Sequence, residues 1–215
     1  MNETSYATEQ EAFWAGQFGA EYIDRNKSHQ LIAANISLFN RALRMAGPIH
    51  SCIEFGANIG LNLAALRMLY PSQKQYAVEI NRQATAELRA HIPEDNIFEM
   101  SILDFDAESI PDGKCDLVLS KGVLIHINPD MLQHVYSRLY QATNRHILLA
   151  EYYNPSPVDI PYRGHKGKLF KRDFAGEMLD RFPDLKLIDY GFVYHREKAF
   201  PQDDINWFLL EKITA

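Results

Sequence analysis

Residues 54–60 read Glu54-Phe55-Gly56-Ala57-Asn58-Ile59-Gly60. An apolar run at 50–55 leads into them and an amphipathic run at 61–69 leads out, so the stretch is a strand-to-helix turn. Gly56 permits a tight turn with positive φ, and Gly60 lets the helix start lie close to whatever the loop holds. The middle position, a glycine in many nucleotide loops, is Asn58, the non-glycine type that best tolerates the left-handed region. Glu54 stands two residues before the first glycine. A carboxylate there repels a pyrophosphate and attracts a positively charged ligand.

The next strand-like run, 75–80, ends Val78-Glu79-Ile80. Glu79 follows Gly56 by 23 positions, near the ~20-residue spacing of an acid that reads ribose hydroxyls. A glycine turn with acids at these two places favours a cationic adenosine compound, S-adenosylmethionine, over a dinucleotide.

Working outward, strand-like and helix-like runs alternate after about residue 50. Further strands are predicted at 96–102, 115–120 and 146–152. Helices are predicted at 82–91 with Asn81 as N-cap, at 130–142 behind Pro129, and at 172–182. The last two strands, 186–195 and 204–212, are joined by a connection too short for a crossover helix, so they are antiparallel neighbours. The fold class is α/β: a Rossmann-like, seven-stranded, mostly parallel sheet with an antiparallel last strand and helices on both faces. Ahead of it, 9–18 and 29–45 read as helices, with a polar bend at 19–26. Residues 1–45 form a helical lid and 46–215 the main domain.

Bulk properties agree with one globular domain. The chain has 215 residues, 47% hydrophobic and 23% charged. No apolar run approaches the ~20 residues that span a bilayer, and the polar N-terminus lacks a secretory pattern. No membrane association is expected. Cys52 and Cys115 each begin an apolar run, which fits buried free thiols, no metal site and a cytoplasmic location. The net charge of −6 argues against a nucleic-acid partner. A local basic stretch at 163–172 is the exception, long enough only for a small anion.

On these residues the chain resembles the class I S-adenosylmethionine-dependent methyltransferases. The resemblance rests on residues 54–60, Ala77-Val78-Glu79-Ile80, Ser101-Ile102-Leu103-Asp104 and the run Asp116-Leu117-Val118-Leu119-Ser120-Lys121-Gly122-Val123-Leu124-Ile125-His126-Ile127. More narrowly it is similar to the methylases associated with pseudaminic acid biosynthesis, through Phe13-Trp14-Ala15-Gly16-Gln17-Phe18-Gly19 and Tyr22-Ile23-Asp24-Arg25-Asn26. That likeness implies a small sugar or sugar-nucleotide acceptor, methylated on oxygen or nitrogen. It implies that Gly56, Asn58 and Gly60 wrap the methionine part, with Glu54 beside them. Glu79 and Ile80 would hold the ribose, and Ser101 and Ile102 would face the adenine. Many members have an acid where Ser101 stands, so the serine acts more weakly or Asp104 helps. Ser120 and Lys121 would flank the methionine amino group and the methyl. Lys121 beside a sulfonium is unexpected on charge, so its side chain points away or meets an acidic substrate. Tyr22, Arg25 and Asn26 would close over the cofactor, with Arg25 on its carboxylate.

An oxygen acceptor must lose its proton to a nearby base. His126 and Tyr153 are the catalytic candidates, with Glu151, Tyr152, Tyr162 and His165 also within the set. His126 reads equally as a packing histidine. Tyr162, Arg163, His165, Lys168 and Arg172 are candidates to grip a carboxylate or phosphate of the substrate. The same stretch also reads as a solvated loop. Two other functions stay open: a non-catalytic cofactor-binding module of a glycan pathway, and a nicotinamide-dependent oxidoreductase. The oligomeric state is left open.

Overall fold

A computed structural model describes residues 6–25 and 27–213. Helices α1 (Glu9–Ala15), α2 (Gln17–Arg25) and α3 (His29–Ala42) lead in. The central part runs β1 (Ser51–Phe55), α4 (Leu61–Leu69), β2 (Lys74–Glu79), α5 (Arg82–Leu88), β3 (Ile97–Glu99), β4 (Cys115–Lys121), α6 (Leu132–Ala142) and β5 (Thr143–Glu151). The chain closes with β6 (Val158–Asp159), β7 (Phe170–Lys171), α7 (Phe174–Arg181), β8 (Leu185–Val193) and β9 (Ile205–Lys212).

Seven strands form one sheet in the order β3-β2-β1-β4-β5-β9-β8. β1 to β5 pair in parallel. The last strand, β9, is antiparallel to both its neighbours and lies between β5 and β8. The short link from β8 permits only a return alongside it, and β8 is left at the edge. The expected α/β sheet is therefore present, with its antiparallel strand inserted inside the sheet.

The side-chain period of two sorts each central strand into two cores. Ile53, Phe55, Tyr76, Val78, Val118, Ile147 and Leu149 face α6 and α7. Cys52, Ala77, Leu117, Leu119, Leu148 and Ala150 face α3 and α4. Burial on both faces explains why these strands read as apolar runs. Both cysteines are buried and free. Among the described residues no helix is long and apolar enough to cross a membrane.

Three differences from the sequence reading have physical causes. The bend expected at 19–26 is mostly helix α2, because Gly19 and Ile23 share a face one turn apart and Ile23 is fully buried against Ile59 and Ala84. The break falls instead at Gly16. β3 stops at Glu99 because the Ser101 hydroxyl accepts from the Leu103 amide (3.0 Å) and turns the chain. α3 packs Leu38, Phe39 and Ala42 into the core while Leu31 and Asn35 reach the cleft, so the expected lid is not separate from the main domain there.

Leu148 is fully buried at mid-strand. Leu148→Ala should cost about 2–5 kcal/mol of unfolding free energy in a urea titration; a loss under about 1 kcal/mol would contradict this packing.

Candidate active site

The strand order reverses between β1 and β4, and ligands of open α/β sheets bind outside the strand C-termini at such a reversal. A cleft of about 1320 Å³ of empty space, part of it open to solvent, lies there. Its floor is the turn after β1. Gly56, Asn58 and Gly60 have φ of 71°, 49° and 81°. A Cβ at Gly56 would come within 2.5 Å of Val123 Cγ2, so the turn also needs glycine for space.

Glu79 ties this turn to the next. Its Oε2 accepts from the Asn58 amide (2.7 Å) and its Oε1 from the Asn81 amide (2.8 Å). Burial pushes its carboxyl upward, and these amides pull it back. Glu54 is fully buried one strand away. Its Oε1 accepts from Asn62 Nδ2 (2.5 Å) and its Oε2 has no hydrogen-bond partner among the described residues. Burial pushes this carboxyl up to about 8, against the opposing pull of Asn62 and Lys121. Glu54 does not itself line the cleft; it backs Asn62 and Lys121, which do.

The segment after β4 forms the opposite wall. Glu151 Oε1 accepts from Ser120 Oγ (2.8 Å), and its oxygens take the amides of Val123, Leu124 and Ile125 at 3.1–3.5 Å. Burial still lifts the Glu151 carboxyl to about 7. Both its oxygens are engaged in shaping this wall, which removes it as a free base. Ser120 points to Glu151 and does not line the cleft, contrary to its expected place at the cofactor. Lys121 does line the cleft, within electrostatic reach of three acids. Desolvation lowers its pKa, opposed by Glu54, Asp203 and Glu151.

His126 lies in the same wall, buried under Trp14 and Tyr162 at ring distances of 4.6 and 4.9 Å. Its Nδ1 is 2.6 Å from the Lys168 carbonyl. A carbonyl only accepts, so Nδ1 carries the proton and Nε2 keeps its lone pair. Burial lowers the imidazole pKa to about 4, so the ring is neutral at pH 7.

α1 and α2 roof the cleft. The Glu11 carboxylate accepts from the Ser101 hydroxyl, Asn81 Nδ2 donates to the Trp14 carbonyl (3.0 Å), and Gln10 Nε2 donates to the Gly167 carbonyl (2.9 Å). Tyr22 faces the cleft, its hydroxyl raised to about 12 chiefly by burial.

Of the residues expected at the cofactor, Tyr22, Gly56, Asn58, Glu79, Ile80, Ser101, Ile102 and Lys121 line this one cleft, and so does His126. Gly60 does not: it faces α5, where a Cβ would come within 2.8 Å of Leu88 Cδ2. Arg25 does not: it sits exposed over the Phe18 ring and beside Glu21. Asn26 lies outside the described residues. Tyr153 is also displaced, its ring 6.0 Å from Phe208 and away from the cleft. The basic stretch is not gathered into one anion site. Lys168 pairs with Glu9, Arg172 with Glu177, Arg163 lies over Tyr162, and His165 packs on Phe13 and Phe18. Two of them touch the site through His126: Tyr162 by its ring and Lys168 by its backbone carbonyl. Sequence reasoning missed Glu11, Asn35 and Asn62, which line the cleft. The Thr8-x-x-Glu11 capping box was legible as a helix start, but nothing in it signals a partner 90 positions away.

Residues 53–146 match the family described as methyltransferase domain. The matched residues supply the glycine turn, Glu79 and the wall after β4 that line the cleft. The fold is similar to magnesium protoporphyrin IX methyltransferase from Synechocystis PCC 6803 with bound S-adenosylmethionine, at TM-score 0.65 and 12% identity, over 98% of this chain and 100% of that one. It is similar to Burkholderia thailandensis 1,6-didemethyltoxoflavin-N1-methyltransferase, solved with that substrate and S-adenosylhomocysteine, at TM-score 0.68 and 16% identity, over 99% and 93% of the two chains. Mitomycin 7-O-methyltransferase aligns at TM-score 0.66 and 14% identity, over 96% of this chain and 61% of that one. No curated protein sequence matches the chain.

The cleft fits S-adenosylmethionine: an acid ends β2, and a buried glutamate oxygen beside Asn62 and Lys121 lacks a hydrogen-bond partner among the described residues. Glu54 also sets a pH dependence. With a folded value of about 8 and an unfolded value near about 4.3, the folded chain holds a proton that the unfolded chain releases. That stabilisation is full below the unfolded value and is lost as pH rises through the folded one. Glu54→Gln should therefore gain stability relative to the parent protein between pH 5 and pH 8.5, in urea titrations without ligand. An equal difference at the two pH values would remove this assignment.

Proposed function

We propose that the chain methylates oxygen or nitrogen of a small sugar-type acceptor, a nonulosonic acid or its nucleotide-activated form, in pseudaminic acid or surface-glycan synthesis. The observation that carries the catalytic reading is His126, a buried neutral imidazole whose Nδ1 proton is held by the Lys168 carbonyl. When bound, S-adenosylmethionine supplies a methyl group already activated on a sulfonium. The protein's task is alignment and proton removal.

In this reading the turn at Gly56 and Asn58 borders the donor's methionine part, Glu79 accepts from its ribose hydroxyls, and Ile80 and Ile102 flank its base. Lys121 and Asn35 meet polar groups at the other end of the cleft. The acceptor lies beyond Lys121, under Trp14 and Tyr22. His126 Nε2 takes the acceptor's proton, and the imidazolium that forms keeps its Nδ1 proton on the Lys168 carbonyl. The indole N–H of Trp14 is buried without a partner among the described residues. An aromatic face with a spare donor fits a hydroxylated ring. The sugar itself is supported by the likeness of the N-terminal segment to the pseudaminic acid-associated methylases. A non-catalytic role has no specific observation in its favour, because a neutral base faces the cleft.

The test is transfer of labelled methyl from the donor to nonulosonic acids, their nucleotide-activated forms and a set of flat heteroaromatic compounds. Label on a sugar acid is the expected result; label only on a heteroaromatic overturns the sugar reading. With the oxygen acceptor so found, kcat should be flat at neutral pH and fall as pH drops through about 4, where His126 protonates. His126→Gln should lower kcat by about 10²-fold or more while calorimetry finds donor affinity unchanged. An unaltered kcat removes His126 from the mechanism.

A further inference from the structure

Among the described residues two carboxylates line the cleft, Glu79 and Glu11. Glu79 ends β2 and is engaged by the backbone of both adjoining turns. Glu11 comes from α1 and stands against Ser101, just past β3. Its two oxygens are already fixed: one accepts from the Ser101 hydroxyl, the other from the Thr8 amide at 2.8 Å. The second oxygen also takes the Thr8 hydroxyl at 3.2 Å; a carboxylate oxygen has two acceptor sites, so the oxygen on Ser101 keeps one for a ligand. Ser101 cannot compete as a donor to that ligand, because its proton goes to Glu11 while its oxygen takes the Leu103 amide.

The two ends of the cleft differ in chemistry. β3 and β1 flank β2 on opposite sides, each about 4.8 Å from it. A ligand whose ribose sits at Glu79 therefore extends one way over the glycine turn towards β4, and the other way towards β3. The β4 side presents Asn35, Asn62 and Lys121, suited to a zwitterionic amino-acid tail. The β3 side presents Ile80, Ile102, Leu103 and Met131, suited to a flat purine. The purine edge then meets the Glu11 carboxylate.

We propose that Glu11 reads the exocyclic amino group of the donor's adenine, and so selects a 6-amino over a 6-oxo purine. The proposal rests on S-adenosylmethionine being the donor. Glu11 can accept from an amino group and cannot donate to a carbonyl, so a 6-oxo purine would face it with like partial charge and no proton between them. Its α1 location makes base recognition and closure of the roof one event.

The test compares S-adenosylhomocysteine with S-inosylhomocysteine, its 6-oxo analogue, by calorimetry on the full chain and on Glu11→Gln. The parent protein should prefer the adenosyl form by at least about tenfold. The glutamine amide can donate to a 6-oxo group, so in the variant that preference should fall about tenfold or more, with the inosyl form gaining in absolute affinity. A role confined to holding α1 would weaken both ligands by the same factor, and that result overturns the proposal. A parent preference under threefold overturns it without any variant. If the parent binds neither ligand, the donor reading itself fails. If the parent binds both alike, that reading stands and Glu11 alone is excluded.

Discussion

Three glutamates at the C-terminal ends of three parallel strands hold the functional edge of this molecule together. Glu54, Glu79 and Glu151 are all buried, on β1, β2 and β5. Parallel strands end in loops whose backbone amides lose their ladder partners, and a buried amide without an acceptor costs free energy. Glu79 supplies acceptors for two turns, and Glu151 for the turn that carries Val123 and His126. Burying carboxylates has its own cost, visible in the upward shift of all three. Glu54 is the least satisfied, with one oxygen lacking a hydrogen-bond partner among the described residues. The same residues thus build the rim and carry the cost of burying acids there.

The parts of the site legible in the sequence are local in the chain. Gly56, Asn58 and Gly60 could be read because positive φ is a property of single residues, and the three do adopt it. Glu79 could be read from its distance to the glycines along one strand–helix–strand unit. The antiparallel β9 followed from a connection too short to cross over. α2 was obscured because its glycine and polar residues mask a narrow apolar face, of which Ile23 is the only fully buried hydrophobic member.

What stayed hidden depends on contacts across the chain. Ser120 ends a strand in the cleft's wall, yet its hydroxyl turns to Glu151, 31 positions away. The basic stretch illustrates the same limit from the other side. Clustered charge in sequence suggests an anion site, but each cation can be drawn off by an acid or ring elsewhere in the fold. Glu9, Glu177, Tyr162 and Phe13 do this here. Charge density along the chain is a poor guide to charge density in space once partners are within reach of long side chains.

The roof joins the two halves of the chemistry mechanically. Glu9, Gln10 and Glu11 are consecutive on α1. The first two hold Lys168 and Gly167, and the third holds Ser101. Lys168 is also the residue whose carbonyl fixes the His126 tautomer. Displacing α1 would break the contact beside the β3 end of the cleft and loosen the loop that orients the imidazole at the β4 end. A helix of seven residues has little stability of its own, so its position is set by these side-chain contacts. Its contacts at both ends make the order of the donor side and the order of the acceptor side a single property of the fold.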